Sequence, residues 1–243
     1  VPIVTEGTTV GGTEEVGHTH RDVTGGWLRP AVFGAMDGLV TNIALVAGVG
    51  GGGASRDLIM LSGVAGLVAG AFSMALGEYT SVSAQNEQVR AEAAVERAEI
   101  QRNPHGEQSE LVGMYVDMGL SRETAERVAK EVHADQDLAV KVHVTQELGV
   151  NPDEQPRPLI AAVSSFLCFA VGALFPLLPY LVGFDSLAAG LAVGGAGLFA
   201  AGALTARFTT RPWWLGGLRQ LGLGAIAAGA TYLVGTLIGV GTA

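Results

Sequence analysis

An all-α membrane protein is predicted, with five transmembrane helices and a three-helix cytoplasmic bundle inserted between spans two and three. Three observations predict it. Hydrophobic residues make up 49% of the 243, mean hydropathy is +0.38 and only 15% of residues are charged, too few to keep a soluble domain of this length wet. Five runs are apolar over the roughly 20 residues that a bilayer crossing requires. The acidic excess is also confined: Ser83 to Pro156 holds 15 acidic and seven basic residues, so this segment carries −8 of the net −9.

Residues 1–28 form a polar tail with no basic stretch leading into an apolar one, so no signal peptide is read there. His18 and His20 could catch metal, but a solvated tail is the plainer reading. Residues 29–82 hold the first two spans, about 29–51 and 58–82. Asp37 lies near the middle of the first, where a carboxylate costs about 2.5–3.5 kcal/mol, and such residues usually line an ion path or a partner interface. Residues 157–243 hold the other three spans, about 158–183, 186–207 and 214–240. The single Cys168 lies in the third, so no intrachain disulfide can form. Trp27, Tyr79, Trp213 and Trp214 suit interfacial anchors. Eight of the 14 Lys and Arg lie between spans two and three, two precede span one and three follow span four. That alternation puts the N-terminus and the large loop in the cytoplasm.

The cytoplasmic domain, 83–156, reads as helices joined by turns. No Pro or Gly falls between Gly77 and Pro104, so the second span runs on as one helix to about Arg102. The turn Asn103-Pro104-His105-Gly106 ends it. A second helix fits Glu107 to Met118, with Gly119 as its cap, and Ser121 starts a third that runs to Glu147 before Gly149. Glu96 and Glu99 share a helix face, and Glu107 and Glu110 repeat their spacing. His143 and Glu147 stand one turn apart, as do His133 and Asp137. Carboxylate oxygens with an imidazole nitrogen suit first-row divalent ions such as Mn²⁺, Fe²⁺ and Zn²⁺. The alternative is solvated helix surface, where Glu is common.

Four Gly-x-x-x-Gly pairs, Gly34/Gly38, Gly66/Gly70, Gly190/Gly194 and Gly235/Gly239, mark faces of close helix approach. Ordinary packing accounts for most of them. Because Asp37 lies inside the first pair, a contact there between two copies of span one would bring both Asp37 carboxylates to one cation. Met74 is packing by default, although a thioether is also a labile metal ligand.

Asp37-Gly38-Leu39, then Ser73-Met74-Ala75-Leu76-Gly77-Glu78-Tyr79, then Glu147-Leu148-Gly149 together resemble the vacuolar iron transporter family, over roughly 31–155. The resemblance implies a five-span homodimer that exchanges cytosolic Fe²⁺ and related divalent ions for protons along the dimer axis. It also implies transport-path roles for Asp37 and Met74 and ligand roles for Glu96, Glu99, Glu107, Glu110 and Glu147. Two departures matter. His143-Val144 stands where the family form has a methionine pair, which leaves the preference among Fe²⁺, Mn²⁺ and Zn²⁺ open. Gly66 stands where that form has an acidic residue, so either Glu78 carries the proton or the coupling differs.

The partners expected are therefore a second copy, the lipid bilayer, divalent metal ions and protons, with no nucleic acid and no prosthetic group. No covalent chemistry is expected. A di-iron oxidase is set aside because the loop lacks Glu-x-x-His; a membrane-anchored metal sensor or buffer remains as the alternative, though it gives an intramembrane Asp no role. Arg outnumbers Lys 12 to 2 and Ala, Gly and Val abound, as in GC-rich bacterial genomes. The expected location is a bacterial plasma membrane, with the N-terminus and the bundle cytoplasmic.

Overall fold

The computed structural model describes residues 26–206 and 212–240. His18, His20, Arg21 and the rest of the tail before residue 26, with Arg207 and Arg211, lie outside the described residues. Helix α1 (Leu28–Gly51) ends at a glycine turn where Gly53 has φ +80°. Ser55 then caps α2 (Arg56–Arg102), its hydroxyl accepting from Leu58 N–H. At 1.5 Å per residue, the 47 residues of α2 extend about 70 Å, far beyond a hydrocarbon core of about 30 Å.

Asn103 ends α2 and starts α3 (Pro104–Asp117) by accepting from Gly106 N–H. Pro104 suits a first-turn position, where no N–H is needed, so α3 begins earlier than the expected Glu107. The expected single helix from Ser121 to Glu147 is two: α4 (Arg122–Val132) and α5 (Gln136–Leu148). The break comes from Asp135, whose carboxylate accepts from the N–H groups of Asp137 and Leu138 and so starts a new helix. Gly149, at φ +67°, closes α5. The bundle core joins Val89 and Ile100 of α2 to Leu111, Val112, Ala129, Val140 and Val144. Polar ties from Asn86 Nδ2 to Pro156 O at 2.9 Å and from Arg97 to Asp137 at 2.7 Å hold the insertion to α2.

The third span is α6 (Pro158–Leu174), a 3₁₀ turn (Phe175–Leu177) and α7 (Leu178–Leu181). Pro176 and Pro179 remove backbone donors from that end. The last two spans are α8 (Leu187–Ala206) and α9 (Trp213–Val240). All five spans are long and apolar enough to cross a membrane.

Helix α1 is the centre of the membrane part, with Leu39, Ile43, Val46 and Ala47 almost wholly buried. A Cβ on Gly38 would lie 2.2 Å from Phe169 O, and one on Gly34 would lie 2.6 Å from Ser165 O. The Gly34/Gly38 face is therefore filled by α6 of the same chain. The expected contact of two first spans across that face is corrected on this ground: backbone already occupies it. Gly235 and Gly239 meet Gly48 of α1 and Gly52 just after it in the same way. Two polar ties cross between spans where water is absent, Asn42 Nδ2 to Ala173 O at 2.5 Å and Thr231 Oγ1 to Ala44 O at 2.6 Å.

Five spans place the bundle and the α7–α8 loop on opposite sides of the membrane. In a Cys168→Ala background, single cysteines at Gln108 and Asp185 should label with an impermeant maleimide from opposite faces. Labelling of both from one face breaks the topology. Nearby Gly183 is unsuitable for a cysteine, because its φ of +97° strains any residue with a Cβ.

Candidate metal cluster and transport path

The bundle brings carboxylates from three helices around one imidazole. Glu96 comes from the half of α2 that extends beyond the span, and His143 and Glu147 stand one turn apart on α5. Glu96 Oε1 lies 3.1 Å from His143 Nδ1, and Glu147 Oε1 lies 3.5 Å from it. Among the described residues, Glu96, His143 and Glu147 are a trio whose ligand atoms all lie within 4.8 Å of one another. Both His143 Nδ1 and Glu96 Oε1 are buried, and neither makes a hydrogen bond of acceptable geometry, despite their proximity. Bonds of about 2.0–2.2 Å to one ion put neighbouring ligand atoms roughly 3.0–3.5 Å apart, which is the separation observed. The donor set fits a divalent cation.

Electrostatics point the same way. Burial, then the neighbouring charges of Glu147, Glu107, Glu110 and Glu99, push the Glu96 carboxyl up to about 7. Burial and then Glu110 raise Glu107, with His143 opposing. Glu107 and Glu110 on α3 thus act on Glu96 through space without joining the trio, and Glu99 is paired with Arg102. Of the six residues that the sequence offers as ligands, the structure gathers three closely and sets three around them.

His133 is the residue that sequence reasoning misplaced. Its supposed neighbour Asp137 pairs with Arg97, while His133 Nε2 lies 3.1 Å from His143 Nε2. Burial and then His143 hold the His133 imidazole below its usual range. Only the turn at 133–135 creates this contact, and helical periodicity gives no sign of that turn.

At membrane depth a cavity of about 330 Å³ opens between α1 and α2, and Asp37, Met74 and Glu78 all line it. Thr41, Ser73 and Ser81 line it too, and these the sequence reading missed. The Thr41 hydroxyl lies 3.5 Å from Asp37 Oδ1, one turn along. Gly70, Ser73, Met74, Gly77, Glu78 and Ser81 form one helical stripe, so the i, i+3, i+4 spacing would have found them. A larger cavity of about 610 Å³ between α1 and α9 is lined almost entirely by Ala, Gly, Val, Leu and Ile and offers a cation nothing.

A family model described as the VIT family matches residues 28–236. A vacuolar iron transporter of Acanthamoeba castellanii is 35% identical over 234 residues, covering 91% of this chain and 83% of that one. Vacuolar iron transporter 2 of Oryza sativa subsp. japonica is 30% identical, covering 88% of this chain and 89% of its own. Vacuolar iron transporter 1 of Arabidopsis thaliana is 26% identical, covering 91% and 90%. These relatives overturn the bacterial plasma membrane as the location, because they are eukaryotic proteins named for the vacuole. The Arg-rich, Ala- and Gly-rich composition that suggested bacteria carries no membrane address.

The raised Glu96 carboxyl has a consequence for stability. Between pH 4.5, its ordinary value, and about 7, the folded state holds a proton that the unfolded state has released, so stability falls as pH rises through this window. With chelator present, the full chain in detergent should melt at a higher temperature at pH 5 than at pH 8. Glu96→Gln should flatten that dependence and raise the pH 8 midpoint. A Gln variant whose pH profile matches the wild type would refute this account.

Proposed function

The chain belongs to the VIT family, and from that premise we propose that it moves Fe²⁺ away from the cytoplasm in exchange for protons. As a VIT-family member it is a transporter of divalent metal and not an enzyme. The observation that carries the proposal is the shared cavity of Asp37, Met74 and Glu78. A carboxylate at that depth has little water to solvate it, so it binds a proton or a cation, and competition between the two is a physical basis for exchange. The Met74 thioether adds a soft ligand that releases its ion readily. Glu78, on the next turn of the same stripe, stands toward the bundle end of the cavity and suits a proton carrier.

The acting unit in this reading is a homodimer. Asp37 is only partly buried in one chain, and Phe33, which lines the same cavity, is exposed. A second copy that covers this side places two carboxylates near one ion and keeps lipid from them. The partner lies against the outer face of α2 and the mouth of the cavity, since α6 fills the Gly34/Gly38 face. The bundle captures the ion first through Glu96, His143 and Glu147, with Glu99, Glu107 and Glu110 drawing cations in. His143, where the related form has thioether, opens the cluster to Zn²⁺ and Mn²⁺ as well as Fe²⁺. The relatives' names point to a vacuole-type membrane as the setting.

In proteoliposomes with an imposed pH gradient, Asp37→Asn should reduce Fe²⁺ flux to near background while the bundle still binds metal. Met74→Leu, similar in volume but without sulfur, should cost less and alter the ranking of ions. Wild-type flux from Asp37→Asn defeats the exchange mechanism, and a wild-type protein with no flux favours the sensor or buffer.

Binding by the bundle should weaken as pH drops below about 7, where Glu96 takes up its proton. Ala at Glu96, Glu99, Glu107 and Glu110 together should abolish that binding yet leave some flux. Calorimetry showing equal affinity for this variant and the wild type would remove the bundle from the capture step.

A further inference from the structure

His143 is fully buried, and both of its ring nitrogens face another polar group. Nδ1 faces Glu96 and Glu147 at 3.1 and 3.5 Å. Nε2 faces Nε2 of His133 at 3.1 Å, the two rings meeting edge to face at 80°. A neutral imidazole carries one N–H and one lone pair, so two facing nitrogens at this distance require one donor and one acceptor. The tautomers of the two rings are therefore linked. With the proton of His143 on Nε2, that N–H donates to His133, and the Nδ1 lone pair is free toward the two carboxylates. With the proton on Nδ1, it donates to a carboxylate, His133 must donate to Nε2, and no lone pair faces the trio.

We propose that His133 is a positioning residue of the metal cluster: by accepting the Nε2–H of His143 it holds the buried ring with its Nδ1 lone pair aimed at an ion shared with Glu96 and Glu147. This rests on reading that trio as metal ligands. His133 suits the task because it ends α4 and is only partly buried, so its own proton can sit on Nδ1. A metal-bound histidine generally needs such a partner on its other nitrogen, and loss of the partner typically costs 10–100-fold in affinity. The break at 133–135 thereby acquires a purpose, since a continuous helix would carry residues 133 and 143 about 15 Å apart along its axis.

The test uses the full chain in detergent with Co²⁺ as the probe, read by calorimetry and by the d–d absorption band, and with chelated protein for melting. His133→Phe keeps a ring but no acceptor; His133→Gln keeps an acceptor. The Phe variant should bind about 10–100-fold more weakly with a changed d–d band, while melting without metal near the wild-type midpoint. The Gln variant should recover most of the affinity. Equal weakening in both variants, or wild-type affinity in the Phe variant, overturns the proposal. His143→Ala separates this from the premise: if it binds Co²⁺ like the wild type, the ligand reading has failed, whereas loss there with an unaffected Phe variant removes His133 alone. Independently of any variant, ¹⁵N-histidine spectra of the Zn²⁺-loaded wild type should show His143 protonated at Nε2. A proton at its Nδ1 would overturn the proposal.

Discussion

A carboxylate that water cannot solvate must take a proton, a cation or a fixed partner, and among the described residues no fixed cationic partner stands at either candidate site. Glu96 is 12% exposed in its side chain, yet no Lys or Arg among the described residues pairs with it. The two nearby guanidinium groups are engaged elsewhere, Arg97 with Asp137 and Arg102 with Glu99. Asp37 has a single hydroxyl at 3.5 Å. A resident counter-charge would make either group inert. Its absence leaves room for a mobile one, and the surrounding helices then have to hold those carboxylates in place against their own repulsion.

Helix α2 does most of that holding, because it runs unbroken through both sites. Glu78 and Glu96 are 18 residues apart on one helix, about 27 Å at 1.5 Å per residue. No single ion could touch the cavity and the cluster together, so in the proposed function capture and passage are separate steps. The bundle core formed with Val89 and Ile100 and the tie from Asn86 to Pro156 fix the insertion to that rod. Met74 apart, the same rod carries small or polar residues on its cavity stripe and bulky apolar ones outside it, so one helix can line the cavity at one height and reach the cluster at another.

Much of this was legible because it depends on run length and spacing alone. Five apolar runs announce five spans, and the absence of Gly and Pro after Gly77 announces a long second helix. The convergence of Asp37, Met74 and Glu78 on one cavity follows from helical period once the helices are paired. The pairing itself was not legible. Gly34 and Gly38 state that something approaches closely, and nothing in the motif says whether it is a second copy or α6. The break at 133–135 was hidden for a different reason: Ala125, Ala129, Val132, Ala139, Val140 and Val144 keep a helical period straight through it, so the apolar pattern of two packed helices imitates one. Asp135 as a helix cap was the one local clue, and it competed with the good periodicity of those six residues.

On the proposed capture role the cluster must also let its ion go, and the burial pattern bears on where. His143 is closed off completely and Glu96 nearly so, whereas the Glu147 side chain is 37% exposed. Glu147 is thus the solvent-facing member of the trio, and in the proposed capture step an ion would enter and leave on its side. Ligands that are buried confer geometry, and a ligand that can swing into water confers exchange. Since Glu147 lies at the end of α5, just before the left-handed Gly149, the helix terminus frees that side chain without disturbing the imidazole one turn earlier. Rigid selection and rapid release are opposed demands on one site, and here they fall on different residues of the same helix.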